Sequence, residues 1–309
     1  MTMELEYKLA TDKDDINIRR LWEKIFIEDS KSYLDFYFKY VRPTNKVIAV
    51  YDGELLCAML HLNPYYVKFT SSEEAVKIYY IVAVATLAEY RRQGIMKKML
   101  KLAENIAKED QVNTLILLPA DERYYTPFGY EFASEQFNTT LISSVYGLSG
   151  TLDVSTIRRI AEDSLDEEGF KAAFKQETSY QLSKYSAVHT SELARRIFHE
   201  LEADGGKAIV VDGHLILYYL GETLEVRKIY WNKESRCSSL KKIKDVLLYL
   251  SDGKSLILHE TNVNALGRIF EYNRSNQYDR RPYMMIKHIG ENIDKGLDIE
   301  KNIGFDEIV

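Results

Sequence analysis

Between Val47 and Leu62 the chain reads VIAVYDGELLCAMLHL, two apolar runs flanking Asp52-Gly53. An Asp-Gly pair between runs of strand length is a strong local signal for a β-hairpin. Upstream, Glu6 to Ala10 alternates and reads as a first strand. Asp12 to Asp15 offers N-cap chemistry, and Ile16, Ile18, Leu21, Trp22, Ile25 and Phe26 recur at helical spacing. A second helix is expected over Lys31–Tyr40 and ends before Pro43. Its Tyr33, Phe36, Tyr37 and Tyr40 fall at i, i+3, i+4 and i+7, the spacing of a core face or pocket wall. After a polar turn at Ser71–Glu74, IYYIVAVAT (78–86) adds a third strand to an antiparallel meander.

The period then changes. From Gly94 to about Asp110, Ile95, Met99, Leu102, Ala103, Ile106 and Ala107 lie on one helical face. TLILL (114–118) follows as a continuous apolar run closed by Pro119. Strand, helix and apolar strand predict a βαβ crossover with its two strands parallel. Tyr124–Phe128 is expected to form a short helix, and residues 132–142 a further strand.

The second half repeats the order. KAIVVDGHLILYYL is again strand, Asp212-Gly213, strand, and GETLEVRKIYW turns into a third strand. Ser239–Leu250 is helical in period, SLILHE (255–260) a strand, Asn262–Tyr272 a helix and RPYMMIKHI (281–289) a closing strand. VIAVYDGELL and AIVVDGHLIL echo each other, so the chain reads as two copies of one topology. The seam falls at YGLSGTLD, giving domains 1–147 and 148–309, the second including an acidic tail of unassigned structure.

Composition narrows the function. A net charge of −6 and a pI near 5.7 do not suit a surface built for nucleic-acid phosphates. Cys57 and Cys237 are too few for a disulfide scaffold, which points to a reduced cytoplasm. The first residues lack the pattern of a secretory signal, and no apolar run approaches the roughly 20 residues that cross a bilayer, so no membrane partner is expected. His61, His189, His199, His214, His259 and His288 do not fall at metal-ligand spacings, and no metal is expected.

Gly53, Gly94 and Gly129 are the only glycines before residue 147. Gly53 has a turn to make. Gly94, in AEYRRQGIMKKML, stands where a strand gives way to a helix. Backbone N–H groups at a helix start lack intrahelical partners and carry a partial positive charge suited to an anion. Glycine permits close approach, and Arg91 and Arg92 add guanidinium donors. The physics offers two readings: a phosphate or pyrophosphate on the amides of about Gln93 to Lys97, or simply a basic helix start. Neither GxxxxGK[ST] nor GxGxxG is present.

The stretch resembles the acetyl-CoA loop of the GNAT superfamily of N-acetyltransferases, [RQ]-x-x-G-x-[GA]. Arg91 and Gly94 match the first two fixed positions, and VATLAEYRRQG looks like the family's strand-to-loop junction. Met96 stands where glycine or alanine is usual. The enhanced-intracellular-survival (Eis-like) branch accepts a long apolar residue there after RRxG, and RRQGIM resembles that branch. The resemblance implies a pyrophosphate held by Arg91, Arg92, Gln93, Gly94, Ile95, Met96 and Lys97. It also implies a pantetheine arm pairing with the backbone of Val84 and Thr86 as an added strand. The implied fold is α/β (α+β): two tandem GNAT-like folds, each a mixed, largely antiparallel sheet with a βαβ crossover and flanking helices.

DERYYTPFGYEF is similar to that branch's Tyr-x-x-Phe-Gly-Tyr signature and aligns Tyr125 with its general acid. The chemistry has a use for such an acid. Amine attack on a thioester releases a thiolate of pKa ~8.5, and a tyrosine near ~10 is neutral at pH 7 and ready to donate. The attacking amine, at pKa ~10.4, must lose a proton at a cost of roughly 4.6 kcal/mol at pH 7. His61, Tyr79 and Glu89 are candidates for that base, and the branch's use of a C-terminal carboxylate adds Val309; none is singled out.

Where the first copy has EYRRQGIMKK, the second has WNKESRCSSLKK without glycine, so it is expected to be structural and to bind no second acetyl-CoA. Eis-like enzymes usually continue into a sterol-carrier-like domain, for which this chain is too short. The expected activity is acetyl transfer from acetyl-CoA to a primary amine, a small molecule or a lysine side chain, by direct attack. Two rivals remain: a CoA-binding sensor or scaffold without catalysis, and an acyltransferase for a longer acyl-CoA. Oligomerisation is left open.

Overall fold

The computed structural model describes residues 4–69, 75–142, 165–176, 185–230, 237–260, 278–289 and 303–304. They fall into two compact units.

In the first unit, strands β1 (Glu6–Leu9), β2 (Lys46–Asp52), β3 (Leu55–Phe69) and β4 (Ala75–Thr86) form an antiparallel meander. Helix α1 (Asp15–Ile25) buries Ile18, Leu21 and Trp22, as its spacing predicts, whereas Ile16, read on the same face, is exposed. The helix expected over Lys31–Tyr40 divides into α2 (Lys31–Phe36), capped by the Ser30 hydroxyl on the Tyr33 N–H, and a π-helical turn at Tyr37–Val41. That wider turn sets Tyr37 against Trp22, with ring centroids 4.6 Å apart. Helix α3 (Ile95–Glu109) then crosses to β5 (Thr114–Leu117), which lies parallel to β4. Ile95, Met99, Ala103, Ile106 and Ala107 are all buried on the inner face of α3, while Leu102, expected with them, is half-buried and Leu100 is buried instead. Each of the larger side chains contributes about 1.5–3 kcal/mol by leaving water.

The second unit repeats the plan. Helices α4 (Glu167–Gln176) and α5 (Ser191–Ala203) meet through stacked Phe170 and Phe174 and through Phe198. Between them lies the short β8 (Tyr185–Ala187). Strands β9 (Lys207–Val211), β10 (His214–Leu220) and β11 (Leu224–Tyr230) form a meander. Helix α6 (Cys237–Ser251) leads to β12 (Ser255–Glu260), parallel to β11. Val226, Ile229, Ile243, Val246, Leu247 and Leu256 close its core.

Two sequence expectations are corrected by strand pairing. Residues 132–142 are not one strand, because β6 (Glu131–Phe132) stays with the first sheet and β7 (Glu135–Ile142) pairs with β12. Residues 281–289 are likewise divided: β13 (Tyr278–Pro282) pairs with β7, whereas β14 (Met285–His288) inserts between β5 and β6. The sheet orders are therefore β1-β2-β3-β4-β5-β14-β6 and β13-β7-β12-β11-β10-β9. Each sheet takes its penultimate strand from the other half of the sequence. The breaks at Ala133 and Met284 are joined by the Ala133 N–H donating to the Met284 carbonyl at 2.8 Å. Consequently the compact units change over at Ala133/Ser134 and again at Pro282/Tyr283. The expected seam, the helix over Asn262–Tyr272, the polar turn at 71–74 and most of the acidic tail lie outside the described residues. Within the tail, β15 (Ile303–Gly304) runs parallel to β8.

Candidate active site

Strands β4 and β5 pair only over Tyr79–Ile81 and Leu115–Leu117. Beyond Ile81, β4 continues to Thr86 with its β3 partner but without β5. This leaves an unpaired strand edge at the carboxyl ends of two parallel strands, where open α/β sheets receive ligands. A bulge reinforces the divergence. Met59 faces Ala85 and His61 faces Val82, so Ala83 and Val84 together oppose Leu60, and Ala83 is left-handed at φ +48°. Beyond the bulge the Leu87 N–H donates to the Cys57 carbonyl. Strand alternation then turns the backbone of Val84 and Thr86 to the open edge.

After β4 the chain makes a tight turn at Ala88–Tyr90 and reaches Arg91, Arg92, Gln93 and Gly94, all exposed. Arg92 and Gly94 are left-handed, with φ of +63° and +77°. Gly94 is the N-cap of α3 and a Cβ placed there would meet nothing within 4 Å, so the face above the helix start is open. The first intrahelical bond comes from the Lys98 N–H to the Gly94 carbonyl. The amides of Ile95, Met96 and Lys97 therefore have no carbonyl a turn behind them. Ile95 is buried as an anchor, Met96 is half-buried and Lys97 exposed. The Arg91 Nε donates to the Thr86 carbonyl at 3.1 Å, fastening the loop to the strand. Thr86 thus offers the open edge less than expected, since Arg91 already uses its carbonyl.

Two residues missed in the sequence brace this loop. The Tyr90 hydroxyl donates to Asp52 Oδ2 at 2.7 Å, tying the β2–β3 hairpin to the turn before Arg91. That bond, with burial, holds the Tyr90 phenol up to about 12. Asp52 reads as a turn former, and only three dimensions give it this second task.

Tyr125 lies in the turn after β5, at the same end of the sheet, between 3-10 turns at Glu122–Tyr124 and Thr126–Phe128. The Phe128 N–H donates to its carbonyl at 2.9 Å, and Gly129 closes the turn at φ +81°. Tyr125 is 8% exposed where Tyr124 is 59% exposed. Burial pushes the Tyr125 phenol up to about 12, so it is a neutral donor at physiological pH. Its ring meets that of Tyr130 edge-on at 6.0 Å. Among the described residues its hydroxyl has no hydrogen-bond partner.

The base candidates fare differently. His61 is fully buried between Trp22 and Tyr37, its Nδ1 3.1 Å from the Tyr37 hydroxyl. Burial, with the Arg42 charge, lowers it to about 3, too weak a base for an ammonium group. The Tyr79 hydroxyl donates to Asp110 at 2.5 Å, and burial with that bond pushes its phenol far up. Glu89 is exposed beside the loop, and Val309 lies outside the described residues. Cys57 is buried, its thiol raised to about 11 by desolvation, which does not suit a nucleophile. Among the described residues there is no cluster of three or more metal-binding side chains, and no helix long and apolar enough to cross a membrane.

Residues 6–133 match the family model described as the acetyltransferase (GNAT) domain, so the chain carries an acyltransferase domain there. No curated protein matches the chain. Among solved structures, a conserved protein of unknown function from Enterococcus faecalis V583, described as a probable N-acyltransferase, is similar at a TM-score of 0.72 and 15% identity, over 92% of this chain and 72% of that one. Eis1 from Mycobacterium abscessus is similar at 0.66 and 11%, over 92% and 73%. A tandem GNAT protein from the clavulanic acid biosynthesis pathway is similar at 0.52 and 12%, over 94% and 100%. At these identities the likeness is one of fold: the chain is a mixed α/β protein of two GNAT-like parts.

Proposed function

We propose that the first unit binds acetyl-CoA and transfers its acetyl group to a primary amine. The observation that carries the reading is the start of α3: a left-handed Gly94 with an open face, three unpaired amides behind it and Arg91, Arg92 and Lys97 around it. These groups suit a pyrophosphate, with Gln93, Ile95 and Met96 lending backbone. The open edge of β4 at Val84 and Thr86 suits the amide-bearing pantetheine, which leads the thioester toward the Tyr125 turn.

In the proposed reaction the amine nitrogen attacks the thioester carbonyl carbon, the carbon–sulfur bond breaks and the sulfur takes the Tyr125 proton. The nitrogen loses its proton to solvent or to a base. Holding both partners at once supplies much of the acceleration. The second unit, without a glycine between Trp231 and Cys237, is read as structural, giving one donor site per chain. The RRQGIM loop and the Tyr-x-x-Phe-Gly-Tyr signature favour an Eis-like relative, and the net charge of −6 and the two cysteines favour a cytoplasmic protein with neither nucleic acid nor membrane as partner.

Calorimetric titration with acetyl-CoA, longer acyl-CoAs and free CoA tests the reading. Thiol release with aminoglycosides, lysine peptides and simple alkylamines follows. Micromolar acetyl-CoA binding at one site with amine-dependent release is expected. Binding without release to any amine would make the protein a sensor, and preference for a longer acyl-CoA would change the donor.

A further inference from the structure

The strand that the second half of the sequence contributes to the first sheet carries a charge into the site. Lys287, on β14, extends its ammonium group to Glu104 Oε1 of α3 at 2.5 Å and to the Phe128 carbonyl at 2.6 Å. It also lies over the Tyr130 ring, 5.6 Å from the centroid. Glu104 is held from its other oxygen by Lys101 at 3.0 Å. Burial raises the Glu104 carboxyl, but the bonds to Lys287 and Lys101 outweigh it, so its pKa is lowered.

A lysine in the middle of a strand, mostly buried and spent on one carboxylate and one carbonyl, is a poor way to stabilise a sheet. Desolvation of the two charges consumes most of their attraction, and apolar side chains of similar volume often do better. What the arrangement does supply is position. The Phe128 peptide is the closing unit of the Tyr125 turn, because its N–H already donates to the Tyr125 carbonyl. The Lys287 ammonium fixes the carbonyl of that same residue and, through Glu104, fastens it to the helix whose first turn is the proposed pyrophosphate cradle. Tyr130, against whose ring Tyr125 packs, lies under the same ammonium group.

We infer that Lys287 is a positioning residue that sets the Tyr125 hydroxyl relative to the α3 start, so that the C-terminal half of the chain completes the site in the first unit. This rests on the acetyl-transfer reading for its catalytic consequence, but not for the contact itself.

Two measurements test it on the full chain. In the first, Lys287→Met, Lys287→Arg and Lys287→Met with Glu104→Gln are compared with the parent and with Tyr125→Phe. The double variant removes both charges together and so avoids stranding a buried carboxylate. Lys287→Met and the double variant should lower kcat about tenfold or more, the scale on which small misplacements act. Donor Kd should stay within about twofold, and Lys287→Arg should recover part of the loss. In a Tyr125→Phe background, removing Lys287 should cost less than about twofold, since it acts through that hydroxyl. A fully multiplicative loss there, or parental turnover by the double variant, would overturn the proposal.

The second measurement needs no activity. Amide hydrogen exchange at Phe128 and Gly129 should be faster in Lys287→Met than in the parent, and unchanged in Lys101→Met. Unchanged exchange in Lys287→Met would overturn the clamp even in an active enzyme. A parent that neither binds acetyl-CoA nor acylates any amine, with faster exchange in Lys287→Met, would leave the clamp standing and remove the acetyl-transfer reading instead.

Discussion

Both units carry an Asp-Gly hairpin ahead of a crossover helix, and the same dipeptide is used in two ways. In the second unit Val211 pairs with His214, so Asp212 and Gly213 are the two turn residues, both left-handed at φ +49° and +82°. The Asp212 carboxylate is thrown outward to Lys242 on α6, 2.9 Å away. In the first unit Asp52 pairs with Leu55, so the turn is Gly53-Glu54 and Asp52 remains in its strand. A bulge accompanies the shift, Val50 facing Ala58 and Tyr51 facing Leu56. The one-residue change brings the Asp52 carboxylate to Tyr90, just before the basic loop. One copy thus uses its hairpin to steady a helix, the other to steady the approach to a candidate donor site. Repeated topology transmits the frame, and a shift of one residue decides what the frame supports.

The hardest test of this asymmetry is Gly94→Glu. A carboxylate against the unpaired amides of α3 should lower acetyl-CoA affinity by at least about a hundredfold, read by calorimetry. Gly94→Ala separates charge from backbone, since its Cβ has room but φ +77° costs a side chain about 1 kcal/mol. Charge reversal at Lys233 in the second copy should leave the stoichiometry at one; a value of two, or a loss confined to that change, would reverse the roles of the units.

Next in size is Tyr125→Phe. Turnover should fall about ten- to hundredfold with donor affinity unchanged, the split expected of a group used after binding. Because the phenol is held at about 12 by burial, the parent's kcat/KM should rise with pH as the amine deprotonates and show no alkaline fall from Tyr125 below about pH 10. An alkaline limb near pH 8 that Tyr125→Phe abolishes would contradict that burial.

A smaller effect sharpens the hairpin comparison directly. Tyr90→Phe and Asp52→Asn should each weaken donor binding about three- to tenfold by loosening the loop before Arg91. Asp212→Asn should leave it untouched. Equal losses from all three would mean that the hairpins act through general stability rather than through the loop.

Much of the frame was legible because it is local. The meanders, the crossover helices and the glycine at the start of α3 are written as period, turn residue and cap. The strand exchange was not. EFASEQFNTT and RPYMMIKHI each alternate well enough to be strands, but alternation states which face is buried and not which neighbour is paired. The break at Ala133–Ser134 carries neither glycine nor proline to mark it, and Pro282, the last residue of β13, marks a strand end without saying that the chain changes sheets there. In the site, Gly94 and Tyr125 had local motifs, whereas Lys287, Glu104 and the Asp52–Tyr90 pair meet only in space. Glu104 did leave a trace: an acid among Leu100, Ala103 and Ala107 on the inner stripe of α3 asks for a buried cation.

The smallest predicted effect separates the units by acid. Asp14 accepts from the Thr11 N–H at 2.9 Å and the Tyr51 hydroxyl at 2.7 Å and pairs with Lys8 at 2.9 Å. Burial alone would raise its carboxyl, but these partners overcome it and hold it well below the usual range. In the second unit Glu167 is lowered to about 2, chiefly by Lys171 with Arg195. A carboxylate with a depressed folded pKa adds stability that is complete above its unfolded value, about 4, and is lost as pH falls toward the folded one. Both units should therefore weaken between about pH 4 and 2. Asp14→Asn should flatten that pH dependence only for amides of the first unit, and Glu167→Gln only for those of the second, read by hydrogen exchange resolved along the chain. If either change flattened both, the two units would unfold as one cooperative body, and the division at Ala133 would describe shape without describing stability.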